Sequence, residues 1–276
     1  MFSILILTKN EEDNLPRCLQ SVAFSNDVVV LDSLSTDRTQ AIAKEHGARV
    51  FERPFDNFGA QRAYALDEID YQNDWVFHLD ADEVFNEELQ QKCEEVIAAD
   101  EHSGYRIPNK IIFLGKWIKR STQYPYHQVR LVKRGEVTFE QAGHGQKEAD
   151  AKRGIGTIDL AYDHYNFSKG LHDWVAKHNN YSSQEVDYAL SLRQKPIPWA
   201  DLFAEKPARN LALKTIYARL PFRWLIKFLY LYVARLGILD GRPGFYYCGL
   251  QAAYEFIIEA KIAEAKAEQD DAASQR

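Results

Sequence analysis

The first hundred residues alternate between two hydrophobic periods, and no other feature narrows the fold as much. "FSILILT" (2–8), "DVVVLDS" (27–33), "ARVFE" (48–52) and "DWVFHLD" (74–80) are short apolar runs suited to buried strands. Helical stretches follow them at 12–23, 36–46, 58–70 and 85–99. Alternation at this spacing implies right-handed crossovers and an α/β fold with a mostly parallel, Rossmann-like sheet flanked by helices. Such sheets bind ligands beyond the carboxyl ends of their strands. That rule marks Thr8–Glu11, Asp32–Ser35 and Asp80–Glu83 as one candidate crevice.

Residues 104–140 read as less regular strands and hairpins, and from about 169 the pattern turns helical, with stretches at 208–236 and 244–266. A two-part organisation follows, 1–168 and a helical C-terminal region, 169–276. A net charge of −6 argues against general nucleic-acid binding. The cysteines Cys18, Cys93 and Cys248 lack disulfide-framework or zinc spacing, which fits a reducing, cytoplasmic compartment. The opening "MFSILILTKNEE" has no basic leader or cleavage site, so no secretory signal is expected. Arg223, Lys227 and Arg235 interrupt the most apolar later stretch, 221–239, which falls short of a spanning helix. The expected protein is soluble or peripheral on the inner face of the cytoplasmic membrane.

The turn after "DWVFHLD" concentrates Asp80, Asp82 and Glu83, a charge density that needs a positive partner. On an extended chain residues i and i+2 point the same way. Asp80 and Asp82 could then share Mg2+ or Mn2+ with substrate phosphates. The competing reading is capping, with Asp82 as N-cap of 85–99 and Glu83 favoured by the helix dipole. Ser35 or Thr36 could likewise cap the second helix and Asp13 the first. Capping leaves Asp32 and Asp80 without a role. Asp32 could instead accept hydrogen bonds from a base imide or ribose hydroxyl. No G-x-G-x-x-G follows the first strand, and neither G-x-x-x-x-G-K-[ST] nor G-x-S-x-G occurs. A nucleotide site without a glycine cradle must neutralise phosphate by other means, and a metal at Asp80 and Asp82 would do so.

"ILTKNEEDNLPRCLQSV", "DVVVLDSLSTDRTQAIAKEHGA", "FDNFGAQRAYAL" and "DWVFHLDADE", in that order, resemble a family-2 glycosyltransferase. "FLGKWI", "QVRLVKRG", "HDWVAKHNNYSSQEVD" and "GILDGRPGFYYCGLQAAYEF" extend the resemblance to the lipopolysaccharide-core glucosyltransferase subgroup. It implies a GT-A fold, with 1–100 as the nucleotide-sugar half and 101–168 as the acceptor half. It further implies an inverting, metal-dependent hexosyltransferase moving a sugar from a nucleotide-sugar, expected to be a UDP-sugar, to a cell-envelope glycan or glycolipid. Thr8, Asn10 and Glu11 would then lie near the nucleoside, Asp32 at the base or ribose, and Gln61 and Arg62 beside the nucleotide. Asp80 matches the first acid of the Asp-x-Asp motif and Asp82 the metal-binding second. Relatives often carry His-Glu where this chain reads "FEQAGHGQKE", with Gly145 in place of the acid. Glu140, His144 and Glu148 are the candidate bases, and His144 could instead complete the metal shell. The alternatives are a sugar-phosphate nucleotidyltransferase, which usually carries a glycine-rich basic turn that "TKNEEDN" lacks, and a catalytically impaired membrane-surface scaffold.

The segment 206–242 holds eight Lys/Arg against one acid, Asp240. As one helix it would align Leu225, Phe228, Leu229, Tyr232 and Leu236 on a stripe, with Arg223 and Lys227 off it. Such a stripe suits packing on the catalytic domain, contact with a second subunit in a homo-oligomer, or an anionic membrane surface.

Overall fold

The computed structural model describes residues 1–142 and 145–274. The chain forms two compact units, Met1–Ile112 with Gln123–Ser168, and Phe113–Thr122 with the chain from Lys169 onward.

In the first unit the expected strands form as β1 (Ser3–Thr8), β2 (Val28–Asp32), β3 (Arg49–Glu52) and β4 (Trp75–Asp80). The helices are α1 (Leu15–Ser21), α2 (Thr39–Glu45), α3 (Phe58–Glu68) and, after a two-residue β5 (Glu83–Val84), α4 (Glu87–Ala99). There follow β6 (Gly104–Phe113) and, beyond a two-residue β7 (Lys116–Trp117), β8 (His127–Lys133), β9 (Val137–Ala142), β10 (Gly145–Ala151), β11 (Ile155–Thr157) and β12 (Tyr162–His164). The main sheet runs β3-β2-β1-β4-β8-β6-β12-β5. Its β3-β2-β1-β4 half is parallel, whereas β8 is antiparallel to both β4 and β6, so the sheet is mixed. The antiparallel part follows from the short connections after α4, which hold no crossover helix.

The strands are apolar throughout because both faces are covered. Ile4, Ile6, Val30, Phe77 and Leu79 face α1 and α4, packing with Leu15, Cys18, Leu89 and Cys93. The alternate residues Leu5, Val29, Leu31 and Val76 pack with Ala65, Leu66 and Ile69 from α3 and its end, and with Phe139 of β9. Order 3-2-1-4 places a switch point beside β1. Register sets Thr8 opposite Asp32 and Leu7 opposite Asp80, so the three strands end at one level.

The capping expectations are corrected. Asn86 caps α4, its side chain accepting from the Leu89 N–H, while β5 separates Asp82 from the helix. The N-cap positions of α1 and α2 are Asn14 and Arg38 rather than Asp13 and Ser35 or Thr36. The Ser35 hydroxyl donates instead to Asp32.

The second unit contains α5 (Gly170–Gln194), α6 (Lys206–Tyr217), α7 (Arg223–Leu229) and α8 (Gly241–Ser274). Val186 and Ala189 of α5 pack on Ile258 and Ile262 of α8. The expected single helix over 208–236 breaks after α6 at Pro221 and Phe222, the latter at φ 54. Arg223 is not on a solvated flank: it is buried, 3.3 Å from Glu259 and 3.6 Å from Glu255. Phe228 and Tyr232 meet Phe245 of α8. Asp240 is buried and accepts from the Arg120 and Ser121 N–H groups, tying 113–122 to this unit. No helix among the described residues is long and apolar enough to cross a membrane.

Candidate functional site

The first two turns form one network. Each Asp32 oxygen takes two hydrogen bonds: Oδ1 from the Ser35 N–H (2.7 Å) and Gln40 (2.9 Å), Oδ2 from the hydroxyls of Thr8 (2.8 Å) and Ser35 (2.5 Å). These fill the lone-pair sites of a carboxylate that is fully buried. In this structure Asp32 therefore ties the two turns together at the end of β2. Asn10 sits at φ 54, a left-handed position that asparagine tolerates. Its side chain accepts from the Thr36 N–H, and its own N–H donates to Ser35. The Glu11 N–H donates to the Thr39 hydroxyl. Gln61 reaches across from α3 to the Ser33 hydroxyl at 3.3 Å, and its buried Oε1 has no partner among the described residues.

At the end of β4 the acidic turn meets two buried guanidinium groups. Arg62 of α3 lies 3.1 Å from Asp80 Oδ1, and Arg130 of β8 lies 3.2 Å from Oδ2. Arg130 also contacts Glu83 at 2.7 Å, Gln128 at 2.9 Å and the His78 carbonyl at 3.2 Å. Glu83 accepts in addition from the Asp80 N–H at 2.8 Å. Asp82 has a different partner, the Nε2 of His164 in β12 at 3.4 Å, and His164 Nδ1 faces Asn109 at 3.2 Å. Residues 81–82 form a turn, not the extended chain assumed for Asp-x-Asp, so the two acids have separate partners. The positive charge required by this strand end is thus supplied by the protein itself.

Burial alone would raise the Asp80 carboxyl, but Arg130 and Arg62 outweigh it and hold it at about 2. Burial pushes Glu83 up to about 7 against the pull of Arg130. For His164 burial works against charge, yet Asp82 prevails and raises the imidazole to about 9. A histidine raised in the folded state stabilises the fold fully below its unfolded value, near 6.5, and loses that contribution as pH rises through about 9. In chelator-treated protein, the stability difference between wild type and His164→Gln should therefore shrink between these two pH values. Thermal melts across that range measure it, and a difference that grows with pH would contradict the Asp82–His164 pair.

Glu140 is exposed on β9, and Glu148 on β10 lies 3.7 Å from Arg106. Both belong to a separate two-stranded sheet. His144 lies outside the described residues. The structure thus joins Thr8, Asn10, Glu11 and Asp32 in one cluster and Arg62 and Asp80 in a second, with Gln61 reaching Ser33 in the turn after β2. Arg130, Glu83 and His164 complete the second cluster, and sequence reasoning gave them no such role. The signal for Arg130 was an arginine inside "VRLV", since an arginine within a buried apolar run requires a buried acid.

The family model for glycosyl transferase family 2 matches residues 3–146. An uncharacterized glycosyltransferase of Rickettsia bellii is 30% identical over 208 residues, 70% of this chain and 69% of that protein. The lipopolysaccharide core biosynthesis glycosyltransferase LpsC of Rhizobium meliloti is 24% identical, covering 94% of this chain and 91% of its own length. Among solved structures, the mannosyltransferase PcManGT of Pyrobaculum calidifontis, in complex with GDP-Man and Mn2+, superposes with a TM-score of 0.50 at 13% identity, covering 95% of this chain and 86% of that one. The crevice at the ends of β1, β2 and β4 therefore lies in a GT-A architecture, and the chain belongs to glycosyl transferase family 2.

Proposed function

We propose that this glycosyltransferase moves a sugar from a UDP-sugar, with inversion and with the help of a divalent ion, to a glycan or glycolipid of the cell envelope. The observation that carries the reading is the levelling of Thr8, Asp32 and Asp80 at adjacent strand ends, with Asp82 and His164 beside them. PcManGT, solved in complex with GDP-Man and Mn2+, supports a nucleotide-sugar as the donor class, and the choice of UDP rests on the family resemblance. LpsC, named for lipopolysaccharide core biosynthesis, supports the acceptor class.

Residues 1–100 hold the donor in this reading, and 101–168 the acceptor. Thr8, Asn10 and Glu11 line the nucleoside subsite, whose shape Asp32 maintains. Gln61 and Arg62 stand at the diphosphate, where the guanidinium opposes the phosphate charge.

The donor set suits Mn2+ or Mg2+. Asp82 is a partly exposed carboxylate and Asp80 is two residues away, while His164 at 3.4 Å would have to give up its proton to act as a ligand. Among the described residues no group of three or more ligands forms a closed cage. An ion shared with substrate phosphates needs only one or two carboxylates. Asp82 would hold it, with Asp80 and His164 adjacent, and it would supply Lewis-acid stabilisation of the departing diphosphate. Arg62 and Arg130 keep Asp80 ionised at any physiological pH. A carboxylate, Glu140 or Glu148, takes the acceptor hydroxyl's proton as its oxygen bonds to the anomeric carbon and the bond to the diphosphate breaks.

Thermal stabilisation by UDP and UDP-sugars, with and without Mn2+, tests the donor and the ion. A ligand at about a hundred times its dissociation constant should stabilise by roughly 2.7 kcal/mol. Product analysis separates the reactions: nucleoside diphosphate release supports glycosyl transfer, and pyrophosphate release would refute it. A UDP shift that is the same with and without Mn2+ would remove the ion from the proposal.

A further inference from the structure

The second unit exposes apolar side chains in a pattern that its own packing does not explain. Phe222, Leu225, Ile226, Leu229, Tyr230 and Val233 are all exposed, Phe222 at 65% and Val233 at 58%. Leu225, Ile226 and Leu229 share one face of α7, with Phe222 at its N-cap and Tyr230 and Val233 in the π-helical turn Tyr230–Ala234 that continues it. Of the stripe expected from sequence this face keeps Leu225 and Leu229, while Phe228 and Tyr232 turn towards Phe245. At the head of the face stands Phe222, an aromatic residue in the left-handed region, where a side chain strains the backbone. In that conformation its ring is largely exposed.

Beside this face lies a groove of about 480 Å3 between α6 and α7, lined by Ile216, Leu220, Ile226 and Tyr230 and flanked by Lys214 and Lys227. Charge selects its occupant. Apart from Arg223, which is buried against Glu255 and Glu259, residues 208–239 contain Arg209, Lys214, Arg219, Lys227 and Arg235 and no acid, in a chain of net charge −6. Asp240, just beyond, is buried on backbone N–H groups. A second copy docking here through a two-fold axis would set these cations against themselves. An anionic lipid surface matches both the charge and the apolar face, since lysine stems lie along acyl chains while their ammonium groups meet phosphates.

We infer that the α6–α7 face of the second unit docks on an anionic phospholipid bilayer, entering it with Phe222 and the α7 stripe while Lys214 and Lys227 bind lipid phosphate. The inference rests on the glycolipid-acceptor reading for its purpose, while binding itself requires no transfer.

Co-sedimentation of the full chain with phosphatidylglycerol-rich and with pure phosphatidylcholine vesicles, at low and high salt, tests it. Wild type should bind the anionic vesicles at least about tenfold more tightly, and high salt should remove most of that preference. Lys214→Glu with Lys227→Glu should weaken anionic binding by about tenfold or more. Phe222→Asn with Leu225→Gln should weaken it too, and asparagine tolerates the left-handed backbone, so the fold should persist. Circular dichroism and the UDP-induced thermal shift should be unchanged in both double variants. The inference fails if wild type stays in the supernatant, or if it binds both vesicles equally with no effect of substitution. It fails equally if these substitutions instead dissolve a dimer detected by analytical ultracentrifugation without lipid. Vesicle binding by a protein that transfers no sugar would refute the proposed function and leave the docking face standing.

Discussion

Asp82→Asn is expected to lower kcat/KM for sugar transfer by about a thousandfold, the equivalent of about 4 kcal/mol of lost transition-state stabilisation. The size follows from the neighbours of Asp82. The other acid of the motif, Asp80, already has one oxygen at 3.1 Å from Arg62 and the other at 3.2 Å from Arg130. It is therefore poorly placed to hold an ion by itself. Asparagine keeps the side-chain shape and removes the charge, so thermal stability in the absence of metal should fall by no more than a partly exposed pair contributes, about 1 kcal/mol. Steady-state kinetics over a Mn2+ titration, with melts in chelator, separate the two effects. Activity within about threefold of wild type at saturating Mn2+ would remove Asp82 from the ion site.

Arg130→Met should produce the largest loss of stability, about 3–5 kcal/mol, because it strips the partner from a buried charge. Arg130 serves Asp80, Glu83, Gln128 and the His78 carbonyl together, and Glu83 is fully buried. Methionine fills much of the volume, so the loss reports charge and hydrogen bonding more than a cavity. Glu83→Gln added to Arg130→Met should restore part of the stability, because the uncompensated carboxylate is gone. Chemical denaturation of the wild type, both single variants and the double variant closes the cycle. Additive losses would show that Arg130 and Glu83 act independently despite their 2.7 Å contact.

Much of the first unit was legible because burial on both faces of a sheet writes continuous apolar runs into the chain. Strands β1, β2 and β4 ended within one residue of their expected bounds, and register then set Thr8, Asp32 and Asp80 level. Capping was less legible, since several Ser, Thr, Asp and Asn residues stood near each helix start and any could bond an N–H. Asn86 won over Asp82 because β5 pairs with β12 between the acid and the helix. In the C-terminal region the hydrophobic period runs through 221–222 as if one helix continued. The positive φ at Phe222 ends the continuous helix there, and beyond α7 the turn Tyr230–Ala234 is π-helical, so its residues leave the 3.6-residue period on which the stripe rests.

The sequence by itself determined that a parallel α/β half would end in an acidic crevice without a glycine cradle. Local hydrophobic period and residue type suffice for that. Only the tertiary structure decided what answers the acids. Arg62, Arg130 and His164 come from α3, β8 and β12, and the last two lie 50 and 82 residues beyond Asp80 and Asp82. Pairing over such distances depends on strand order and register, which local patterns do not encode. The same holds for Asp32, whose position at a strand end was readable while the four donors that fill its oxygens were not.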